Sequence, residues 1–122
     1  ERIKQKKDFD LVFESGKILV SENKKLKALF FICDSFEPGV KFAPGISKRA
    51  GNAVWRNRLK RLIKQSYRLN KHLILEKSLA CNKSVLIVVS LNKMNKKFSP
   101  RPSLFDIEPQ VINLIKRIAD TF

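Results

Sequence analysis

A chain of 122 residues carrying 26 Lys and Arg against 11 Asp and Glu has a formal charge of +15 and a sequence pI near 10.2. That excess calls for a polyanionic partner, since pairing cations with phosphates releases condensed counterions. The length favours one domain over residues 1–122, with a core too small to enclose a large substrate cavity, and no membrane-spanning apolar run, signal peptide or lipidation motif offers an acidic bilayer as the partner.

Glu1 is not an initiating residue, so a few residues are expected to precede it. Phe9, Val12 and Phe13 repeat at i, i+3, i+4 and predict a short helix over 7–15, with Gly16 as its stop. Residues 17–21 read as a short strand and Leu26 to Cys33 as a longer, half-buried one. Glu37-Pro38-Gly39 is a turn. A third strand, Val40 to Ile46, is interrupted by Pro44-Gly45, which argues for an edge position or a bulge.

From Asn52, a plausible N-cap, to Asn70 the pattern is helical. Ser84 to Ser90 is a β-branched strand of the fully buried type, and the Lys-, Pro- and Ser-rich stretch 92–103 is a loop. Val111, Leu114, Ile115, Ile118 and Phe122 mark a final amphipathic helix. The order α-β-β-β-α-β-α predicts an α+β fold, a single α/β sandwich with helices packed on one small sheet. Cys33 and Cys81 lie far apart with no further Cys or His at ligand spacing, so both are expected to be reduced and partly buried in a cytosolic protein.

Between Pro38 and Leu75 there is no acidic residue, yet the window holds Lys41, Lys48, Arg49, Arg56, Arg58, Lys60, Arg61, Lys64, Arg68 and Lys71. On a helix, Trp55, Leu59, Leu62, Ile63, Ser66 and Leu69 share one face. Arg56, Asn57, Lys60, Arg61, Lys64 and Arg68 fall on the opposite arc, with Arg58 near the border. Solvated helix faces normally mix both signs of charge. A ridge of one sign backed by an apolar face is what tracking a phosphate backbone requires.

The run Gly51-Asn52-Ala53-Val54-Trp55-Arg56-Asn57-Arg58-Leu59-Lys60-Arg61 resembles the signature of the bacterial ribonuclease P protein component. Its core is Arg-Asn-Arg, one apolar residue, then Lys-Arg. Asp8-Phe9-Asp10-Leu11-Val12-Phe13 followed by Gly16 is similar to that family's first helix, and the resemblance covers nearly the whole chain. It implies that the basic helix joins two parallel strands by a left-handed crossover. It also implies that an RNA subunit, using Mg2+, cleaves precursor tRNA to give the mature 5′ end, while the protein binds that RNA and the 5′ leader of the substrate.

Carried over residue by residue, Lys48, Arg49, Arg56, Asn57, Arg58, Lys60, Arg61, Lys64 and Arg68 are expected to bind RNA. The leader cleft lies between the first helix and the sheet and would take Phe9, Phe13 and either Phe30 or Phe31. Stacking on aromatics holds single-stranded bases without reading sequence, although Phe9 and Phe13 would equally serve as core residues. The implied partners are ribonuclease P RNA and precursor tRNA, with no membrane, no stable protein partner, no cofactor held by the protein itself, and a cytoplasmic location.

The residues give no sign of chemistry in the protein. Asp8 with Asp10, and Asp106 with Glu108, are spaced i, i+2, which on a helix points them apart. No carboxylate lies in the basic segment to hold a metal pair, His72 is the single histidine, and no nucleophile motif occurs. A ribosomal or RNA-chaperone module would share the charge without depending on a leader. A helix-turn-helix would need a second helix just before the basic one, where the sequence has an extended Pro-Gly stretch.

Overall fold

The computed structural model describes residues 3, 6–34, 38–92 and 100–122. Part of the turn expected at 37–39 and most of the loop at 92–103 lie outside the described residues. Helix α1 (Lys6–Ser15) leads into strands β1 (Lys17–Val20), β2 (Leu26–Asp34) and β3 (Gly39–Gly45). Helices α2 (Ala53–Asn70) and α3 (His72–Ala80), strand β4 (Lys83–Leu91) and helix α4 (Leu104–Ala119) follow. The expected order holds, but the helical stretch runs further than the sequence suggested. Lys71 separates α2 from α3, and a single 3-10 turn, Lys48–Ala50, precedes α2.

The sheet is ordered β1-β2-β4-β3. β2 runs antiparallel to both neighbours, and β3 runs parallel to β4, with α2 and α3 making the connection between them. Pro44 sits opposite Val89 in unbroken pairing. The edge position explains this, because a strand with one open side can lose an N–H without leaving a neighbour unpaired.

Local chemistry sets the element ends. The Asn52 side chain accepts from the Trp55 N–H at 2.9 Å and starts α2. Ser103 and Asp106 cap α4 reciprocally, each accepting from the other's backbone N–H. At Gly16 the backbone turns from α1 into β1 against two carbonyls. A Cβ there would lie 2.3 Å from the Val12 oxygen and 2.9 Å from the Phe30 oxygen, so only hydrogen fits.

Pleating divides the core in two. On one face Leu26, Ala28 and Phe30 of β2, Val40 and Phe42 of β3, and Val85, Ile87 and Val89 of β4 pack under α2, α3 and α4. The other face offers Leu29, Ala43, Leu86 and Val88 to Val12 of α1. The apolar face of α2 is shifted from the expected one. Trp55, Leu59, Ile63 and Ser66 are buried, but Leu69 is 54% exposed and Tyr67 takes its place, stacked on Phe42 at 4.1 Å. Both cysteines are free and exposed rather than partly buried. Cys33 lies on β2 beyond the last residue paired to β1, and Cys81 in the turn before β4, where nothing covers them.

Candidate nucleic-acid interface

The first surface is the outer side of α2 and the turn before it. Burial of Trp55, Leu59 and Ile63 rotates the other arc of the helix outward. Asn57, Arg58, Arg61 and Arg68 are exposed, and Arg56, Lys60 and Lys64 are half-buried along its flanks. Lys48 and Arg49 are exposed on the 3-10 turn, which Ser47 closes by accepting from the Arg49 N–H at 3.3 Å. All nine predicted residues thus stand on α2 and its approach. Arg56 Nε donates back to the Gly51 carbonyl at 3.1 Å, holding the guanidinium over the start of the helix.

Arg58 behaves differently, as its border position foretold. Its Nε donates to the Pro102 carbonyl at 3.0 Å and ties α2 to the head of α4. The first turn of α2 contains no acidic residue. Its unbonded N–H groups and the cations above them therefore carry the same sign, an arrangement that an anion relieves.

The second surface lies across the sheet. Phe9 of α1 and Phe31 of β2 are half-buried over the smaller core cluster. Phe13, one turn beyond Phe9, is 56% exposed at the lip of this cleft. Phe30 does not belong to it. Alternate residues of a strand point to opposite faces, and Phe30, 2% exposed, is packed into the core under α2 and α4. The sequence left Phe30 and Phe31 equivalent because both sit in one apolar run, and only the register of β2 against β4 separates them.

One cation that the sequence reading did not place in the cleft also borders this side. Lys41 lies two residues before Ala43, hence on the same face of β3, and pairs with Asp8 of α1 at 3.6 Å. Strand alternation of Lys41 with Ala43 was the signal available for it. Phe31 also lines a recess of about 230 Å³ at the end of the sheet, together with Phe30, Ile32 and Phe122 of the main-core side; Lys17, paired with Phe30, and Lys83, paired with Asp34, belong to that face and not to the cleft.

Three more acidic side chains have structural occupations. Asp34 accepts from Lys83 Nζ at 2.8 Å, which draws its carboxyl below and the ammonium above their usual ranges. Asp106 is lowered by the Ser103 hydroxyl and N–H that it accepts from. Glu108 accepts from the Asn70 amide at 3.0 Å. Among the described residues no three His, Cys, Asp or Glu side chains come close enough to hold a metal ion.

The chain matches the Ribonuclease P family over residues 1–118. The ribonuclease P protein component of Clostridium botulinum (strain Loch Maree / Type A3) is 33% identical over 116 residues, covering 95% of this chain and 92% of its own. That of Clostridium novyi (strain NT) is 35% identical over 122 residues, covering 96% and 92%. The RNase P protein from Thermotoga maritima superposes with a TM-score of 0.74 at 28% identity, over 96% of each chain. A Staphylococcus aureus RNase P protein shares the fold at a TM-score of 0.70 and 24% identity, over 99% of this chain and 96% of that one. With a single-signed basic helix on one side of the sheet and an aromatic cleft on the other, the chain belongs to the ribonuclease P protein family, the accessory protein subunits of the ribonucleoprotein that matures the 5′ ends of tRNA.

Proposed function

We propose that the two surfaces divide the work of the subunit between two RNAs. The ridge of α2 with its 3-10 approach (Lys48, Arg49, Arg56, Asn57, Arg58, Lys60, Arg61, Lys64, Arg68) binds ribonuclease P RNA. The cleft formed by Phe9, Phe13 and Phe31 holds the 5′ leader of precursor tRNA. The observation that carries this reading is their separation: α2 and α1 pack on opposite faces of one sheet, so a single small domain over residues 1–122 grips catalyst and substrate at once.

Each surface suits its ligand. The ridge neutralises a run of phosphates, a sequence-independent source of affinity. Half-buried rings present faces on which leader bases stack, worth roughly 1–3 kcal/mol per base, and Lys41 on the same face of β3 suits the leader's phosphates. Mg2+ serves the RNA subunit. Asp8, Asp34, Asp106 and Glu108 are engaged by Lys41, Lys83, Ser103 and Asn70, and the protein positions the substrate and lowers charge repulsion while the chemistry stays with the RNA. No helix among the described residues is long and apolar enough to cross a membrane; we place the subunit in the cytoplasm with RNA partners and no stable protein partner.

The test is cleavage of precursor tRNA by a bacterial ribonuclease P RNA at low magnesium, with and without this protein. Substrates carry either a full or a one-nucleotide leader. Restored cleavage with tighter binding of the long-leader substrate is expected. Binding of RNA without any rescue would favour a ribosomal or chaperone role, and cleavage by the protein free of RNA would overturn the division of labour.

A further inference from the structure

The two most exposed large apolar side chains among the described residues are Phe105, 87% exposed, and Val54, 79%. Isolated apolar residues on a surface are ordinary, but these two stand in the first turns of helices that are tied together. Val54 stands in the first turn of α2 and Phe105 in the first turn of α4. Arg58, one turn after Val54, bridges the two helices by donating to the Pro102 carbonyl three residues before Phe105.

Phe105 cannot turn inward. The core stripe of α4 runs through Ile107, Val111, Leu114, Ile115 and Ile118, while Phe105 and Pro109 occupy an exposed stripe. The Ser103–Asp106 capping box fixes the backbone from which the ring projects. Pro109 brings no N–H to the Phe105 carbonyl four residues earlier, leaving an acceptor that the helix does not use in its regular ladder. Exposed Arg58 and Arg101 flank the site with positive charge. A held aromatic ring, a free acceptor and neighbouring guanidinium groups match an unpaired nucleobase and its phosphate.

We propose that Phe105, at the head of the helix that Arg58 ties to α2, is a stacking platform for an unpaired base of the ribonuclease P RNA bound along α2. This rests on the reading of α2 as the RNA-subunit surface. It adds a contact to the base on the side of the sheet away from the leader cleft, so the base comes from the RNA subunit and not from the substrate.

The test titrates ribonuclease P RNA with the full chain carrying Phe105→Ala, Phe105→Leu or Phe105→Trp, at several salt concentrations, beside the Lys60→Ala/Arg61→Ala double variant. Stacking of one base predicts an affinity loss of about 5- to 150-fold for Phe105→Ala. The dependence on salt is expected to stay unchanged, because no phosphate contact is removed. Phe105→Trp is expected to bind as the parent does and Phe105→Leu to resemble Phe105→Ala. Unchanged affinity in Phe105→Ala, or full recovery with Leu, overturns the proposal. So does a loss that appears only as reduced preference for long-leader precursor tRNA, which would assign the ring to the substrate. If the double variant keeps both affinity and salt dependence, the reading of α2 has failed and the platform falls with it.

Discussion

Phe30 and Phe31 are adjacent in sequence and chemically identical, so truncating each to Ala isolates the effect of facing. Phe30 is 2% exposed in the main core, where a Phe-to-Ala change costs about 3–5 kcal/mol in lost transfer energy and cavity. Domains of this size are stable by about 5–15 kcal/mol in total, and near the melting point each kcal/mol moves Tm by about 3–6 °C. Phe30→Ala is therefore expected to melt roughly 10–25 °C lower. Phe31 packs on the smaller cluster and is half-buried, so Phe31→Ala is expected to lose far less stability.

Its loss is instead in substrate grip. Removing one stacking partner weakens binding of long-leader precursor tRNA about 5- to 150-fold and leaves a one-nucleotide-leader substrate unaffected. Thermal melts followed by circular dichroism, and holoenzyme titrations with the two substrates, measure both effects. The reasoning is refuted if Phe31→Ala weakens both substrates equally, or if Phe30→Ala stays folded and loses leader discrimination.

If roughly five ridge residues meet phosphates, log affinity for ribonuclease P RNA falls against log salt with a slope of about −3.5 to −4.5; Lys60→Ala/Arg61→Ala should flatten it by about 1.4–1.8, and a slope near zero would exclude a phosphate-dominated interface. Gly16→Ala forces a Cβ against the Val12 and Phe30 carbonyls and should destabilise by about 2–4 kcal/mol, read as a lowered Tm; an unchanged Tm would mean that the α1–β1 corner can open freely. Asp106 titrates below its ordinary value because Ser103 donates to it, so its contribution is complete above the unfolded pKa of about 3.9 and vanishes as pH falls through the lowered folded value. Asp106→Asn is accordingly expected to lose stability at neutral pH, by about 0.5–1 kcal/mol for a largely exposed cap, and to match the parent at strongly acidic pH, as parallel melts across pH would show.

What could be read from the sequence was what local rules decide. Asn52 as a cap, Gly16 as a stop and Pro44 on an edge each follow from the chemistry of one residue, and the ridge of α2 from helical spacing alone. Features that depend on another element were hidden. Phe30 and Phe31 are separated only by the register of β2 on β4. Tyr67 displaces Leu69 from the core because Phe42 of β3 lies beneath it. α3 went unseen because Leu73, Ile74 and Leu75 are consecutive and show no helical period, and the helix is defined by burial of Ile74 and Ser78 against the fold. The exposed cysteines were misread by a base rate that favours burial, where the deciding facts were the early end of β1 and the turn before β4.

β4 lies between β2 and β3, yet it is the last strand in the chain. Until residues 83–91 have been synthesised, β3 has no neighbour at all and β2 only the short β1. At about 5–20 residues per second, the interval between finishing α2 and finishing β4 is on the order of one to four seconds. Through that interval the most basic segment of the chain has no sheet behind it to keep its arginines in line. The shape of the ridge thus waits on the last strand, and a chain interrupted before residue 83 would carry the charge of a binder without the shape of one.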